Sequence, residues 1–478
     1  MITVQLNKHD FEYDIHSLIR AFYPGVDVPL YQADEEEPTG WENKLQVDYL
    51  DNGMELTWWS EDREILAQRK CTLEKDADRK ERKNVLKAML YEMLSEYTGK
   101  QLPWGNLTGI RPTKIPMSLL EQGWKNTEIA EYMRKTYYTS NEKTALAISI
   151  ANRERAILKD IDYQNGYSLY VGIPFCPSIC LYCSFSSSPL TVWKDRVDAY
   201  LDALCLEMEA CAKIWADKKL DTVYIGGGTP TTLTPHQMER LLAKLEECFD
   251  IRGVREFTVE AGRPDSISRE KLQVLRAHPV SRISINPQTM NDETLELIGR
   301  QHTVQQTREA FMLAREMGFD NINMDLIVGL PGEKYEQVEH TMKEVTALAP
   351  DSITVHSLAL KRATRLNLFK EKYQEMSFVN NQEIMNMTAR YAAEIGQFPY
   401  YLYRQKNMAG NFENVGYARA GAEGIYNILI MEEKQSILAL GAGASTKIVQ
   451  GERIERIENV KDIRSYIERI DEMIERKL

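Results

Sequence analysis

The order of hydrophobic and polar positions divides the chain into two regimes. In the first, Leu45, Val47 and Tyr49 alternate with polar residues, Asp51-Asn52-Gly53 turns the chain, and Met54, Leu56 and Trp58 alternate again. Alternation on both sides of an Asn-Gly turn predicts a β-hairpin. The opening residues, Met1 to Phe11, also alternate and are expected to form an edge strand, not a signal peptide. A helix-period stretch follows through Val85, Met89, Leu90, Met93 and Leu94, closing near Gly99. Leu107-Thr108-Gly109-Ile110-Arg111-Pro112-Thr113-Lys114 then reads either as a Gly/Pro loop opening a helix or as an anion contact by Arg111 or Lys114.

From Ser168 short apolar runs alternate with amphipathic stretches. Strands are expected at Ser168–Ile173, Thr222–Ile225, Glu256–Val259, Arg282–Ile285, Asn321–Val328 and Ser352–Leu358. Helices are expected near 194–214, 235–248, 268–277, 291–317 and 335–348. Such alternation predicts a parallel sheet covered by helices, and six units make an open, partial barrel whose site lies past the strand ends. Beyond about residue 360 the pattern loosens. It holds a helical run from Gln382 to Gly396, a Tyr-rich strand (Tyr400 to Tyr403), a Gly-rich turn (Gly441 to Thr446) and a charged amphipathic helix from Val460 to Leu478. The fold expected is α/β: an N-terminal α+β unit (1–160), a partial (β/α)6 barrel (161–360) and a small α+β C-terminal region covering the substrate (361–478).

The 478 residues, 43% of them hydrophobic, suffice for sizeable cores. No apolar run approaches the roughly 18 residues of a membrane span. The formal net charge of −12 argues against nucleic acid as a bulk partner and requires a locally basic pocket for any anionic substrate. An odd cysteine count of 7, with Cys71, Cys205, Cys211 and Cys248 scattered, argues against a disulfide framework and fits a reduced cytoplasm.

The remaining cysteines are not scattered. Tyr170-Val-Gly-Ile-Pro-Phe-Cys176-Pro-Ser-Ile-Cys180-Leu-Tyr-Cys183-Ser-Phe185 places three at C-x3-C-x2-C spacing directly after a predicted strand. Three thiolates on one loop can hold three irons of a cubane and leave the fourth iron open. The alternatives are a zinc site lacking its fourth ligand, against which stands the lack of a nearby histidine, or three buried thiols. Gly226-Gly-Gly228-Thr229 follows the second strand without the Lys-Ser/Thr ending of a P-loop, and consecutive glycines there admit close backbone approach. Glu260 and Gln288 close the third and fourth strand segments, Arg300 lies in Ile-Gly-Arg-Gln-His, and Asp325 in Asn-Met-Asp-Leu-Ile-Val-Gly-Leu-Pro-Gly. Each alone could be a surface ion pair; jointly they offer a carboxylate for an ammonium, an arginine fork for a carboxylate and acceptors for hydroxyls.

Spacing and setting resemble the radical S-adenosylmethionine (SAM) superfamily. Tyr-x-x-Ile-Pro-Phe-Cys resembles the oxygen-independent coproporphyrinogen III oxidase (coproporphyrinogen dehydrogenase) family, closest to its HemZ branch, whose long N-terminal extension residues 1–160 also resemble. The resemblance implies that Cys176, Cys180 and Cys183 hold a [4Fe-4S] cluster. It places Gly226, Gly227, Gly228 and Thr229 against the methionine end of SAM, with Glu260, Gln288, Arg300 and Asp325 on its amine, carboxylate and ribose. It puts Tyr170 near SAM and substrate, where a core tyrosine is the alternative. Reductive cleavage of SAM would then yield a 5′-deoxyadenosyl radical that takes hydrogen from a porphyrinogen propionate, leaving a vinyl group after loss of an electron and CO2 in haem biosynthesis. Reduced flavodoxin or ferredoxin is the implied electron donor. A tetrapyrrole's carboxylates need cations: Lys361, Arg362 and Arg365, or Arg404 and Lys406 with Tyr401 and Tyr403 facing the macrocycle, against the alternative of a solvated basic turn. Two positions depart from the best-known oxidases, which carry a fourth cysteine where Phe185 stands and a histidine where Gly172 stands. The chain also ends soon after Gly441–Thr446, leaving little room for a further C-terminal domain. The departure at Phe185 is shared with a haem-chaperone branch, so a haem carrier, or another radical SAM reaction on haem such as methylation with ring opening, stays open beside decarboxylation.

Overall fold

The computed structural model describes residues 1–74, 76–185, 187–359, 364, 378–405, 412–451 and 453–477. The chain forms two compact units, Met1–Asn152 and Arg153–Leu478, and their boundary falls inside the helix Asn141–Ile157.

In the first unit, strands β1 (Ile2–Leu6), β2 (Leu30–Gln32), β3 (Asn43–Leu50), β4 (Gly53–Ser60) and β5 (Ile65–Thr72) form one sheet in the order β2-β1-β3-β4-β5. The predicted hairpin is β3–β4, with Leu50 opposite Gly53. The opening strand is not an edge: β1 lies parallel between β2 and β3 and stops at Leu6. Its burial explains the place, since Thr3, Val4 and Leu6 are all wholly buried. The helix Arg79–Thr98 starts on the Asp78 side chain, which accepts from Glu81 N, and ends at left-handed Gly99. Lys114 opens the helix Lys114–Glu121 two residues after Pro112, as the loop reading of that stretch expects.

The second unit is built on one eleven-stranded sheet. Strands β6 (Gly166–Ile173), β9 (Lys219–Gly227), β10 (Glu256–Glu260), β11 (Arg282–Ser284), β12 (Ile322–Val328) and β13 (Ser352–Ser357) lie side by side in chain order and all run parallel. Between β6 and β9 the short β7 (Phe175–Cys176) and β8 (Ser188–Pro189) pair apart from the sheet. These are the six strands expected. Leu169, Val223, Phe257, Ile283, Met324 and Ile353 are wholly buried at their centres, as befits a parallel sheet covered on both faces. Helices Val197–Ile214, Pro235–Cys248, Arg269–Ala277 and Tyr335–Leu348 fall where the periodicity placed them. The expected helix at 291–317 is instead two, Asp292–Leu297 and Val304–Glu316. Gly299 turns the chain at φ +77°, and a Thr303/Gln306 capping box starts the second helix afresh.

Downstream strands join the same sheet at both borders. The hairpin of β14 (Phe398–Tyr403) and β15 (Asn414–Ala418) attaches antiparallel to β13. Strand β16 (Ser436–Leu440) runs parallel beside β6, followed by β17 (Ser445–Gln450) and β18 (Arg453–Glu458). The sheet therefore runs from β14 to β18 and is an open barrel wall. The expected helix Val460–Leu478 is two short ones, Ile463–Glu468 and Ile470–Glu475. They meet where Arg469 leaves helical geometry (φ −120°, ψ 33°). Among the described residues no helix is long and apolar enough to cross a membrane.

Candidate cluster and cofactor site

Strand β6 delivers the cysteine loop. Phe175–Cys176 pairs with Ser188–Pro189 to close its base, and Cys183 N donates to Cys180 O at 3.2 Å. All three thiols are free of disulfides, and Cys180 is buried. Thr229 Oγ1 lies 3.5 Å from Cys176 Sγ. Burial raises the Cys176 and Cys183 thiols above their ordinary range, so a metal must displace their protons on binding. Among the described residues no three His, Cys, Asp or Glu side chains converge as on one ion. A cubane takes thiolate donors spread over separate irons, which three free cysteines on one loop can supply. The donor set fits the cluster.

The Gly226–Gly228 run holds this loop from behind. Gly228 N donates to Ile173 O and Thr229 N to Phe175 O, both at 2.7 Å. A Cβ on Gly228 would sit 2.5 Å from Phe175 O, and Gly227 adopts φ +103°. The close backbone approach that the glycines permit is that of the cysteine loop itself.

Next along the barrel mouth, Glu260 ends β10. Tyr224 OH donates to its Oε1 and Asn286 Nδ2 to its Oε2 at 3.1 Å. Burial and the neighbouring Asp325 carboxylate push Glu260 up to about 7. Asp325 itself is held below the usual range: burial acts against this, but His356, Asn323 and Thr354 together outweigh it. Gln288 sits at φ +69°, a strained conformation for a residue with a Cβ. Its N–H donates to Asp325 O at 3.0 Å and its carbonyl accepts from Ile327 N at 2.9 Å. Arg300 is buried; its Nη1 donates to Asn286 O at 2.5 Å, while its Nε has no partner in a dry setting. A buried guanidinium N–H without a partner suits a ligand carboxylate. Tyr170 stacks at 6.4 Å from both Tyr224 and Tyr426, which lie 4.5 Å from each other. The structure thus brings together every expected cluster and SAM residue along the β6–β12 strand ends.

Of the expected tetrapyrrole contacts, Lys361, Arg362, Arg365 and Lys406 lie outside the described residues. Tyr401 belongs to an apolar cluster with Tyr400, Ile428 and Leu429; Tyr403 is the less buried of the pair, and their rings stack at 6.2 Å. Arg404 is only 5% exposed, so it is no solvated turn. Burial pushes its guanidinium down to about 10 while Glu413 acts against that shift. Tyr403 OH lies 3.3 Å from His356 Nδ1, and His356 Nε2 lies 3.7 Å from Asp325 Oδ2. Phe185 is 74% exposed, and Gly172 O accepts from Tyr200 OH at 2.6 Å.

Sequence reasoning missed Asn286, His356 and Arg263. Asn286 and His356 sit among strand ends, where a polar residue interrupts no periodicity; the signal for Arg263 was its position three residues past Glu260.

A sheet of this order, with three cysteines at the first strand end and carboxylates at later ones, defines the class, and residues 170–345 match the model of the Radical SAM superfamily. Over 406 residues the chain is 42% identical to the oxygen-independent coproporphyrinogen-III oxidase-like protein HemZ of Bacillus subtilis, covering 84% of this chain and 81% of that protein. It is 33% identical to the heme chaperone HemW of Lactococcus lactis, over 59% of this chain and 70% of that one. The solved structure of coproporphyrinogen III oxidase (HemN) from Escherichia coli superposes with a TM-score of 0.53 at 26% identity, covering 67% of this chain and 73% of that chain. The chain belongs to the HemZ-like family of oxygen-independent coproporphyrinogen-III oxidase-like radical SAM proteins.

Proposed function

We propose that the protein is an oxygen-independent coproporphyrinogen III dehydrogenase of the HemZ type. The observation that carries this reading is the 42% identity to HemZ over 81% of that protein. Cys176, Cys180 and Cys183 would hold a [4Fe-4S] cluster, and Gly226–Thr229, Glu260, Gln288, Arg300 and Asp325 would hold SAM. When bound, this pair supplies a carbon-centred radical able to take hydrogen from a propionate side chain. The chain's part is placement. Glu260, already set among neutral donors, offers its carboxylate to the ligand ammonium. Arg300 offers its unpaired Nε to the ligand carboxylate, and Asp325 accepts from ribose hydroxyls. Tyr403, linked through His356 to Asp325, marks the side from which the tetrapyrrole approaches, with Arg404 as propionate partner. Residues from about 361 onward cover the substrate, and a reduced flavodoxin or ferredoxin in the cytoplasm delivers the electron.

A haem carrier is the second reading, favoured by the 33% identity to HemW and by Phe185 at the position of the fourth cysteine. Quantifying methionine and 5′-deoxyadenosine released under anaerobic turnover separates the two. Release in proportion to coproporphyrinogen III consumed supports the dehydrogenase. Tight haem binding with no release contradicts it.

A further inference from the structure

The Arg263 guanidinium is 3% exposed and lies in the loop after β10. Its Nε and Nη2 fork onto Asp265 at 2.9 and 2.7 Å. Its Nη1 reaches the other way, to Ser178 Oγ at 2.9 Å, Ser178 O at 3.5 Å and Cys180 Sγ at 3.9 Å. A single buried cation therefore bridges the cysteine loop to the 3-10 turn Pro264–Ser266. The thiol it faces is the most enclosed of the three, Cys180 at 7%. The nearby His302 adds no positive charge, since burial, reinforced by Arg300, pushes it down to about 3. The buried Arg300 guanidinium is a second cation within electrostatic reach of Cys180, but Arg263 is the one placed to hydrogen-bond its sulfur. Thr229, whose Oγ1 lies 3.5 Å from Cys176 Sγ, is a neutral donor.

Hydrogen bonds and charge around cluster sulfurs set the reduction potential. A guanidinium stabilises whichever redox state carries more negative charge. One-electron reduction of a [4Fe-4S]2+ cluster to the 1+ state adds one negative charge and no proton at the thiolates. The fork to Asp265 fixes Arg263 so that little reorganisation accompanies that step.

We propose that Arg263 is a positioning residue for the cluster, whose buried charge and hydrogen bond at the Cys180 sulfur raise the cluster's reduction potential. The proposal rests on the reading that the three cysteines hold a [4Fe-4S] cluster, which iron and sulfide content of the unaltered chain tests on its own.

The experiment uses the full chain, reconstituted anaerobically with iron and sulfide, without substrate. Wild type, R263K and R263Q are titrated with dithionite and mediators, the reduced cluster being read by EPR, and iron per chain is measured for each. The expected result is a more negative midpoint in R263Q at unchanged iron content, with R263K closer to wild type. Should R263Q fail to load iron, loading of R263K at a near-wild-type midpoint supports the charge requirement. Equal midpoints in wild type and R263Q, or failure of R263K to load as well, overturns the proposal; the latter would make the role one of shape.

Discussion

Asn286 Nδ2 donates to Glu260 Oε2 at 3.1 Å. From the same residue, the backbone carbonyl takes Arg300 Nη1 at 2.5 Å and Oδ1 takes Asp325 N at 3.1 Å. One asparagine thus sets three of the expected SAM contacts. Asn286→Ala keeps the backbone carbonyl that takes Arg300 but removes both side-chain bonds, and should weaken SAM binding by about tenfold, since the lost bond to the Glu260 carboxylate is worth about 1.5–3 kcal/mol. Isothermal titration on the anaerobically reconstituted protein checks it.

Glu260 gives the site a pH dependence. Its folded value, about 7 against an ordinary 4.5, means that the buried carboxyl stays protonated in the free protein at mild acidity. For a raised acid the stabilising contribution is complete below the unfolded value and is lost as pH rises through the folded one. A ligand ammonium favours the carboxylate, so SAM binding should release a proton. Affinity is then expected to rise with pH through about 7 and level off above it. Glu260→Gln should bind more weakly and abolish the slope; an unchanged slope would remove Glu260 from the amine contact.

Beside the C-terminal end of β16, Lys477 Nζ and Glu207 Oε1 form a fully buried ion pair at 2.5 Å. Tyr466 OH, Asn459 Nδ2 and Gly441 N complete the Glu207 carboxylate at 2.6, 2.7 and 2.8 Å. Lys477→Met strands that carboxylate in a dry setting and should cost about 3–5 kcal/mol. The double variant with Glu207→Gln should recover part of this loss. Chemical denaturation of the three proteins measures it.

Arg404 is buried with Glu413 as its counter-charge. Arg404→Ala should raise the dissociation constant for coproporphyrinogen III about tenfold or more while leaving SAM binding unchanged, the cost of one charge-assisted bond. Fluorescence titration under anaerobic conditions checks both; unchanged substrate affinity would remove Arg404 from the substrate site.

Much of the barrel was legible because buried parallel strands are continuous apolar runs, and the six runs from Ser168 to Leu358 have few competing readings. The cysteine loop was legible from spacing alone. What escaped depends on long-range pairing. Ser436–Leu440 carries five buried residues, yet nothing local says that it pairs with β6, over two hundred residues earlier. The break at Gly299 was hidden because apolar residues on both sides continue one helical period. Arg404 read equally as a propionate partner or as part of a solvated basic turn, and only the fold shows it buried. Asn286, Arg263 and His356 act through contacts across strand ends, which no linear pattern records.

The central claim is that three thiolates and the neighbouring strand ends support radical chemistry on a porphyrinogen. Mass analysis of coproporphyrinogen III incubated anaerobically with the reconstituted protein, SAM and a reductant tests it most directly. Two successive losses of CO2, absent from Cys180→Ala, are predicted; an unaltered porphyrinogen mass from protein with a full iron and sulfide complement would contradict the account.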